Sequence, residues 1–413
     1  MTNKDYFNMP TIEGCLWAMS MHKRDDALQT LSHYTDTGAL DIILKTGTLR
    51  ATSMFFLNDW QEYTGGLDCL KTVFRKYSHI SKVLDDLKDN HFSCGLGIFS
   101  ISFSDTSDNL QHWVTYSKES GVCIELDYET MLNAGYWQEL YDAENNKKTY
   151  EMSSFCSLSR ITYYAKDKEE HIDNPLSKEK MEELEENFKK YARDTMRSLT
   201  DLNEIDKEIE NDHRLRAYLS LCASYFKTKG FEGEREIRAC FFPLTDCHEK
   251  GLNVVCNSRL KEGILKPFIE VTIGSDNNGS PVSKIPIVGV IVGPSGAQDR
   301  LFQSIVHRIC YGNTNAVQNE KPLIREQLKK YLSHAYKETN SMPAIEYILW
   351  KWNTTSSQKF CVSLTRDGNI YVSDCDGCAS VPSQNDCAID FMRENYLSPT
   401  GIWIRKSKIP YIF

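Results

Sequence analysis

Apolar residues recur with the period of a helix in some segments of the chain and with the period of a strand in others. Residues 37–45 have the helical pattern, with Asp36 or Thr37 as the N-cap and Gly47 as the stop. Residues 121–127 alternate Val, Ile and Leu with other side chains, which predicts a strand. Short apolar runs predict further strands at residues 49–56, 98–104, 236–242, 264–273 and 285–292. With helices predicted at residues 60–77, 298–309 and 321–336, the expected fold class is α/β (α+β).

The composition changes in the middle of the chain and again near its C-terminal end. Residues 167–213 are rich in Glu, Lys and Asp among helix-forming residues, so we expect a helical insertion at about residues 138–228. Arg366-Asp367-Gly368 has the pattern of a hairpin turn between runs at residues 360–364 and 369–373. The predicted organisation is one domain over residues 1–337, containing the insertion, and a small C-terminal α+β module over residues 338–413.

Composition and charge narrow the classes of protein to which the chain can belong. Of its 413 residues, 41% are hydrophobic and 25% charged, which is typical of globular proteins and excludes disordered and collagen-like chains. The net charge of −9 restricts any nucleic-acid contact to a local basic patch. The first residues lack a signal-peptide pattern, and no apolar run approaches the roughly 20 residues that span a bilayer. We therefore expect a cytoplasmic protein without a membrane partner and, from 14 scattered cysteines, mostly buried reduced thiols.

Two short motifs are typical of binding sites but have simpler explanations. The Cys-Asp-Gly-Cys motif at residues 375–378 has the spacing of half a zinc site, with Cys387 as the nearby third ligand. A turn that holds two thiols is favoured, and no metal is expected. The Gly-Pro-Ser-Gly motif at residues 293–296 lies between a predicted strand and a predicted helix, where amides can bind an anion. It lacks the lysine of a P-loop and the spacing of a dinucleotide fingerprint, so a tight turn is favoured.

Two acidic residues lie close together at the start of a predicted strand. Because side chains alternate along a strand, Glu234, Glu236 and Arg238 would project from one face. Two carboxylates on one face are costly unless a reaction uses them or a cation neutralises them. A catalytic pair and an internal salt-bridge ladder with Arg238 both fit this spacing. His33, in an early strand, similarly fits either a site or a hydrogen-bonded core position.

Several short motifs occur in a fixed order along most of the chain. They are His33-Tyr34-Thr35, Gly47-Thr48-Leu49-Arg50, Leu57-Asn58-Asp59 with Glu62, Ser102-Phe103-Ser104, Leu110-Gln111-His112-Trp113 with Tyr116, Gly121-Val122-Cys123-Ile124, and Phe231 with Glu234-Arg235-Glu236-Ile237-Arg238. This order resembles that of a bacterial family known only as a domain of unknown function, which is itself similar to the ADP-ribosyltransferases. The resemblance covers about residues 30–310 and leaves the C-terminal module outside. One departure is Ile237, where the family usually has an aromatic residue; this affects packing beneath the strand more than the acids.

The resemblance implies an ADP-ribosyltransferase-like split sheet that binds NAD, with a histidine on the first strand and a catalytic glutamate on a later one. His33 matches the histidine, and Glu234-Arg235-Glu236 is similar to the Glu-X-Glu of transferases that modify arginine. Cleavage of the bond between nicotinamide and ribose passes through an oxocarbenium-like state, which a carboxylate stabilises. Glu236 is the candidate for this role. Glu234 would accept the proton of the attacking nucleophile, and His33 would hold the adenosine-side ribose or the carboxamide.

Further side chains are candidates for binding NAD. Besides His33, they are Tyr34, Thr35, Arg50, Asn58, Asp59, Gln111 and Trp113. The two aromatic rings could stack on nicotinamide, although a core or rim position explains either ring equally well. The amide of Gln111 could contact the carboxamide, and the guanidinium of Arg50 could contact the pyrophosphate. The Asn-Asp pair also fits an Asx turn at the end of a strand.

These expectations give one favoured function and two alternatives. The favoured function is NAD-dependent ADP-ribosylation of a protein or nucleic acid, by a toxin or an anti-phage defence effector. The alternatives are NAD hydrolysis, with water as the acceptor, and a catalytically inactive module that binds a ligand or partner. Residues 338–413, with Trp350, Trp352 and Trp403, could bind a regulatory partner, or these rings could pack a small core. Under the favoured function, His33 and Glu236 converge on one cleft.

Overall fold

A computed structural model describes most of the chain as a mixture of helices and strands. The described residues are 27–57, 62–89, 98–117, 120–142, 144–152, 156–165, 176–196, 201–241, 252–261, 263–275, 280–283, 285–312, 321–365, 367–375 and 382–409. The strands are β1 (Thr30–Asp36), β2 (Thr48–Ser53), β3 (Phe99–Ser104), β4 (Gly121–Asp127), β5 (Tyr136–Asp142), β6 (Lys147–Met152), β7 (Cys156–Arg160), β8 (Thr162–Tyr164), β9 (Phe226–Thr228), β10 (Glu236–Phe241), β11 (Leu252–Val254), β12 (Cys256–Lys261), β13 (Ile264–Ile273), β14 (Ile287–Val292), β15 (Phe360–Leu364), β16 (Ile370–Asp374), β17 (Asn395–Leu397) and β18 (Trp403–Lys406).

The helices account for most of the remaining described residues. They are α1 (Thr37–Thr46), α2 (Glu62–Val73), α3 (Ser78–Asp89), α4 (Leu110–His112), α5 (Tyr128–Asn133), α6 (Lys178–Met196), α7 (Leu202–Glu208), α8 (His213–Ala223), α9 (Gln298–Tyr311), α10 (Lys321–Thr339), α11 (Met342–Thr355) and α12 (Asp386–Glu394). The predicted α+β class is confirmed. Across the residues that the structure describes, no helix combines the length and the apolar character needed to cross a membrane.

The chain divides into two compact units, and the first is formed by described residues within 49–103 and 135–272. Its sheet has the strand order β11–β5–β13–β2–β3, with β10 between β3 and β7. The strands β6 and β12 pair with β5 and β13 respectively, and β8 and β9 form a separate parallel pair. Helices α2, α3, α6, α7 and α8 contribute to one apolar core, which includes Leu67, Phe74, Phe188 and Tyr218. The same core includes Phe226 of β9 and Cys240 of β10, the strands that carry charged residues described below.

The second unit is formed by described residues within 28–48, 104–134 and 273–413. Its strands are ordered β1–β4–β14–β18–β17, and β18 runs parallel to β14 while β1 and β14 are antiparallel to β4. Helix α1 begins where the Asp36 side chain accepts a hydrogen bond from the Ala39 amide, and it ends at Gly47 with a left-handed φ of 65°. Helices α10, α11 and α12 and the β15–β16 hairpin share a further apolar core.

Several predicted elements are present in the structure. The strands at residues 121–127 and 264–273 have the predicted bounds, and the helix predicted at residues 37–45 is α1. The hairpin near Gly368 also forms, with φ at this glycine of 77°, a value that glycine adopts without strain. Residues 293–297 form the short connection from β14 to α9, which agrees with the tight turn.

Two predicted boundaries differ from the observed organisation. The segment at residues 138–228 begins with strands β5 to β8 rather than helices, and its helical part starts at Lys178. These strands carry many polar side chains, so their apolar pattern is weak. The predicted boundary near residue 338 does not separate the two units, because β17 and β18 belong to the same sheet as β14. Parallel pairing of β18 with β14 is a long-range contact that no local pattern predicts.

Candidate functional site

Five charged side chains form a buried cluster in the first unit. Lys227 lies in β9, Glu236 and Arg238 lie in β10, Glu62 begins α2, and Glu234 lies in the 3₁₀ turn that precedes β10. Each of the five is at most 5% exposed. Charges are almost never buried to this degree unless they are paired, so the contacts within the cluster determine its state.

Lys227 is shared by all three carboxylates. Its Nζ lies 2.7 Å from Glu234 Oε2, 3.0 Å from Glu236 Oε2 and 3.1 Å from Glu62 Oε1. The same ammonium lies 4.8 Å from the centre of the Phe231 ring, a cation–π contact. One cation therefore holds side chains from three different elements together.

Arg238 binds two of these three acids, Glu236 and Glu62. Its Nε donates to Glu236 Oε1 at 2.9 Å, and its Nη2 donates to Glu62 Oε2 at 2.7 Å. Its Nη1 donates to the Ser224 carbonyl at 2.6 Å. The guanidinium is thus bound on three sides, which is how a fully buried arginine is tolerated.

The predicted arrangement of Glu234, Glu236 and Arg238 on one strand face needs a correction. Glu234 precedes the strand, and Arg235 between the two acids has a left-handed φ of 45°. The alternation of a strand therefore does not extend to Glu234. Glu234 nevertheless reaches Lys227, so the chain brings the two acids together through a turn rather than through strand periodicity.

Glu236 is ionised and fixed within this cluster. Burial alone would raise the pKa of Glu236, but the cations of Arg238 and Lys227 and hydrogen bonds from Ser102 and Lys227 lower it from the usual 4.5 to about 2. The carboxylates in turn raise the pKa of Lys227 and of Arg238, against the opposing effect of burial. Three carboxylates thus face two cations, which leaves one formal negative charge in excess among these five side chains.

Ser102 connects the cluster to the surface of the first unit. It lies in β3, next to β10, and its side chain is hydrogen-bonded to Glu236. Unlike the charged residues, Ser102 is exposed. The Glu236 carboxylate is therefore one hydrogen bond from a group that solvent can reach.

Other predicted site residues lie in the second unit. His33, Tyr34 and Thr35 are consecutive in β1 and half-buried. Successive side chains of a strand point to opposite faces, so Tyr34 does not share the face of His33 and Thr35. Contact of any of these three side chains with NAD stays a prediction. Gln111, in α4, is exposed.

Tyr34 and Trp113 are held by interactions within the second unit. The Tyr34 hydroxyl donates to the Thr106 carbonyl at 3.0 Å, and its ring lies 4.9 Å from the Trp113 ring. Trp113 is 3% exposed and its Nε1 donates to Asp108 at 2.8 Å. A Cβ on Gly293 would lie 2.9 Å from the Trp113 ring, so glycine permits this close approach. Trp113 therefore occupies a core position, which is one of the alternatives that the sequence left open.

The remaining candidates do not join the charged cluster through any contact that the structure describes. Arg50 lies in β2 of the first unit. Its Nε lies 3.5 Å from Glu270 Oε1, and its guanidinium carbon lies 4.6 Å from the centre of the Phe268 ring. Asn58 and Asp59 lie outside the described residues. His33 belongs to the second unit and Glu236 to the first, and their convergence on one cleft stays a prediction. Among the residues that the structure describes, no group of His, Cys, Asp or Glu is arranged to hold a metal ion.

Sequence reasoning assigned no role to two members of the cluster. Glu62 occurs in the quoted motif with Leu57-Asn58-Asp59, and this motif was the available sign of its importance. Lys227 directly follows an apolar run that ends at Phe226, and a lysine at such a position is easily taken for the exposed end of a strand. The burial of Lys227 depends on contacts with three acids, and the local sequence does not show these contacts.

Comparisons with known proteins add one match. Residues 112–239 match the model of a family described as "Protein of unknown function (DUF2971)". No curated protein and no solved structure matches the chain. The matched range includes Lys227, Glu234, Glu236 and Arg238, ends one residue beyond Arg238, and excludes Glu62.

Proposed function

We propose that this protein cleaves NAD between nicotinamide and ribose and transfers ADP-ribose to a protein or nucleic acid. The observation that supports this proposal is the state of Glu236: an ionised carboxylate, held by Arg238 and Lys227, and hydrogen-bonded to the exposed Ser102. A fixed negative charge next to the reacting ribose stabilises positive charge as it develops, without reorganisation during the reaction. The resemblance to ADP-ribosyltransferases supplies the substrate class.

The charge of the cluster fits a cationic reaction centre. NAD carries a pyridinium, and its cleavage produces an oxocarbenium-like ribose, so both the substrate and the transition state are positive where the bond breaks. The five side chains hold one negative charge in excess, which such a cation would balance. Glu234 shares Lys227 with Glu236 and would accept the proton of the attacking nucleophile.

The other roles in this proposal come from the resemblance. His33 would hold NAD through the adenosine-side ribose or the carboxamide, with Thr35 on the same strand face. Arg50 and Gln111 would contact the pyrophosphate and the carboxamide. A toxin or an anti-phage effector acting in the cytoplasm would use this chemistry to modify a macromolecule or to deplete NAD, and residues 338–413 would bind a regulatory partner.

A second candidate function is a binding module without catalysis. Both carboxylate oxygens of Glu236 already accept hydrogen bonds from Arg238 and Lys227, and the residue is 4% exposed. An ion network of this kind also holds α2, β9 and β10 together, which is a structural role.

The position of Trp352 in the C-terminal core, at 4% exposure, favours packing over partner binding for that ring.

Nicotinamide release from NAD by the full chain distinguishes these candidates. We expect release by the wild type and a decrease of roughly 10²- to 10³-fold in Glu236→Gln, because one electrostatic stabiliser is removed. Glu232→Gln is the matched control, since Glu232 is an exposed acid in the turn that also contains Glu234. Circular dichroism of each variant checks that it is folded. Absence of release by the wild type, with and without cell lysate, or full release by a folded Glu236→Gln, would contradict the proposal.

Labelling of acceptors separates transfer from hydrolysis. With radiolabelled NAD and cell lysate, Glu234→Gln should lose labelling of macromolecules and keep part of its nicotinamide release. An arginine or base acceptor must lose a proton as it attacks, so a second carboxylate matters more for transfer than for cleavage of the glycosidic bond. Labelling that persists in Glu234→Gln would remove the proton-accepting role. Release without any labelling by the wild type would identify a NAD glycohydrolase.

A further inference from the structure

Two cysteines of the second unit are neighbours on the β15–β16 hairpin. Cys361 lies opposite Ser373 in the antiparallel ladder. The Cys375 amide donates to the Lys359 carbonyl at 3.2 Å, which extends the ladder by one residue. Cys361 and Cys375 therefore occupy diagonal positions at the open end of the hairpin.

The two side chains point to the same face of the hairpin. Residues two positions apart on a strand share a face, as do residues directly opposite each other, so Cys361 shares a face with Lys359 and with Cys375. The two thiols are in hydrogen-bond contact, and this contact raises the pKa of Cys361. Cys361 is exposed and Cys375 is half-buried, and both are thiols in this structure. A reagent can thus reach one sulfur while the second is next to it.

We propose that Cys361 and Cys375 form a reversible disulfide that responds to the thiol–disulfide balance around the protein. The oxidant is a small disulfide such as oxidised glutathione. The Cys361 thiolate attacks one glutathione sulfur, the glutathione disulfide breaks, and the first glutathione leaves as a thiol after taking up a proton. The Cys375 thiolate then displaces the second glutathione from Cys361. The two cysteines lose two electrons and two protons, and the glutathione disulfide is reduced to two thiols.

The bridge would restrain the part of the second unit that the hairpin stabilises. Phe360, Ile370 and Val372 of the same hairpin lie in the C-terminal core with α10 and α11. A covalent link at the open end would hold β15 and β16 in register where the chain enters and leaves the hairpin. Because the pKa of Cys361 is raised, its thiolate is scarce at neutral pH, and the rate of bridging should rise with pH.

Mass spectrometry of the full chain after treatment with oxidised glutathione tests this proposal. Trypsin cleaves after Lys359 and Arg366, so Cys361 lies alone in its peptide and Cys375 lies in the next one. We expect the two peptides to become linked, the fragment ions to assign the link to Cys375, and dithiothreitol to reverse it. Cys387→Ser, which removes a different exposed thiol from the second peptide, should link at the wild-type rate. Cys361→Ser should give no link and a glutathione adduct instead.

Three results would overturn the proposal. One is a glutathione adduct that persists on Cys361 of the wild type without a link. Another is a bridge between Cys375 and Cys378, which leaves the Cys361 peptide separate. The third is zinc that copurifies with the reduced chain and is lost from Cys361→Ser, since the thiols would then be metal ligands.

Discussion

Replacement of Arg238 by methionine tests whether the buried cluster stabilises the first unit. Arg238→Met keeps a long side chain in the core but removes the guanidinium that binds Glu62, Glu236 and the Ser224 carbonyl. Lys227 then remains as the cation for three buried carboxylates. Removal of one partner from a buried ion pair typically costs about 3–5 kcal/mol, because the remaining charge loses its compensation. We expect a loss of this size in the free energy of unfolding at neutral pH.

The pH dependence gives an independent measure of the same interaction. The pKa of Glu236 is lowered from 4.5 to about 2, which corresponds to roughly 3 kcal/mol of stabilisation. Because the folded-state pKa is below the unfolded one, this stabilisation is complete above about pH 4.5 and is lost as the pH falls towards 2. Without Arg238, the pKa of Glu236 should rise, so the difference in stability between the variant and the wild type should decrease across this range.

Urea unfolding followed by circular dichroism, with hydrogen exchange of peptides from β9 and β10, measures both effects in the first unit. The control is Arg393→Met, which breaks an ion pair with Asp390 whose side chains are 72% and 69% exposed. Such a pair contributes at most about 1 kcal/mol. A loss below about 1 kcal/mol for Arg238→Met, or a loss that stays constant between pH 6 and pH 3, would show that the contacts described here do not stabilise the folded state.

Three further changes have expected outcomes in the second unit. Arg405→Met leaves the buried Glu125 without its two bonds of 2.6 and 2.7 Å, so thermal unfolding should indicate a loss of about 3 kcal/mol; an unchanged melting temperature would contradict this. A chain truncated after Glu338 loses β18 from beside β14, so size-exclusion chromatography should show aggregates, and a monodisperse product would show that the remaining strands suffice. Gly293→Ala places a Cβ 2.9 Å from the Trp113 ring, so urea unfolding should show a loss of about 1–3 kcal/mol. An unchanged free energy of unfolding would show that the ring moves at no cost.

The sequence predicted strands where apolar residues dominate and missed strands where they do not. β4 and β13 are rich in Val, Ile and Leu or Phe, and their bounds were predicted correctly. β6 and β7 have the sequences KKTYEM and CSLSR, which lack apolar alternation. The strand conformation of β6 depends on pairing with β5, the strand just before it, and that of β7 depends on β10, which lies far along the chain.

The candidate site was only partly predictable for a related reason. Spacing identified Glu234, Glu236 and Arg238 as a group, and the structure brings them together. They meet through a turn rather than through strand alternation, because Arg235 adopts a left-handed backbone conformation that arginine does not favour. Glu62 is 176 positions from Arg238 in the chain, and its contact with Arg238 depends on how α2 packs against β10.

The excess negative charge separates a structural role of the cluster from a catalytic one. Among these five side chains, a network that served stability alone would gain from balanced formal charges, since the cost of burying a charge is offset by an opposite charge. Glu236→Gln leaves two carboxylates facing two cations, so under a purely structural role it should destabilise the protein less than Arg238→Met, which leaves three carboxylates facing one cation. Under the catalytic role, Glu236→Gln would have the smaller effect on stability of the two variants and the larger effect on nicotinamide release. Stability and activity measured on these two variants would therefore diverge if Glu236 acts on a cationic substrate, and would fall together if the five charges only hold the first unit folded.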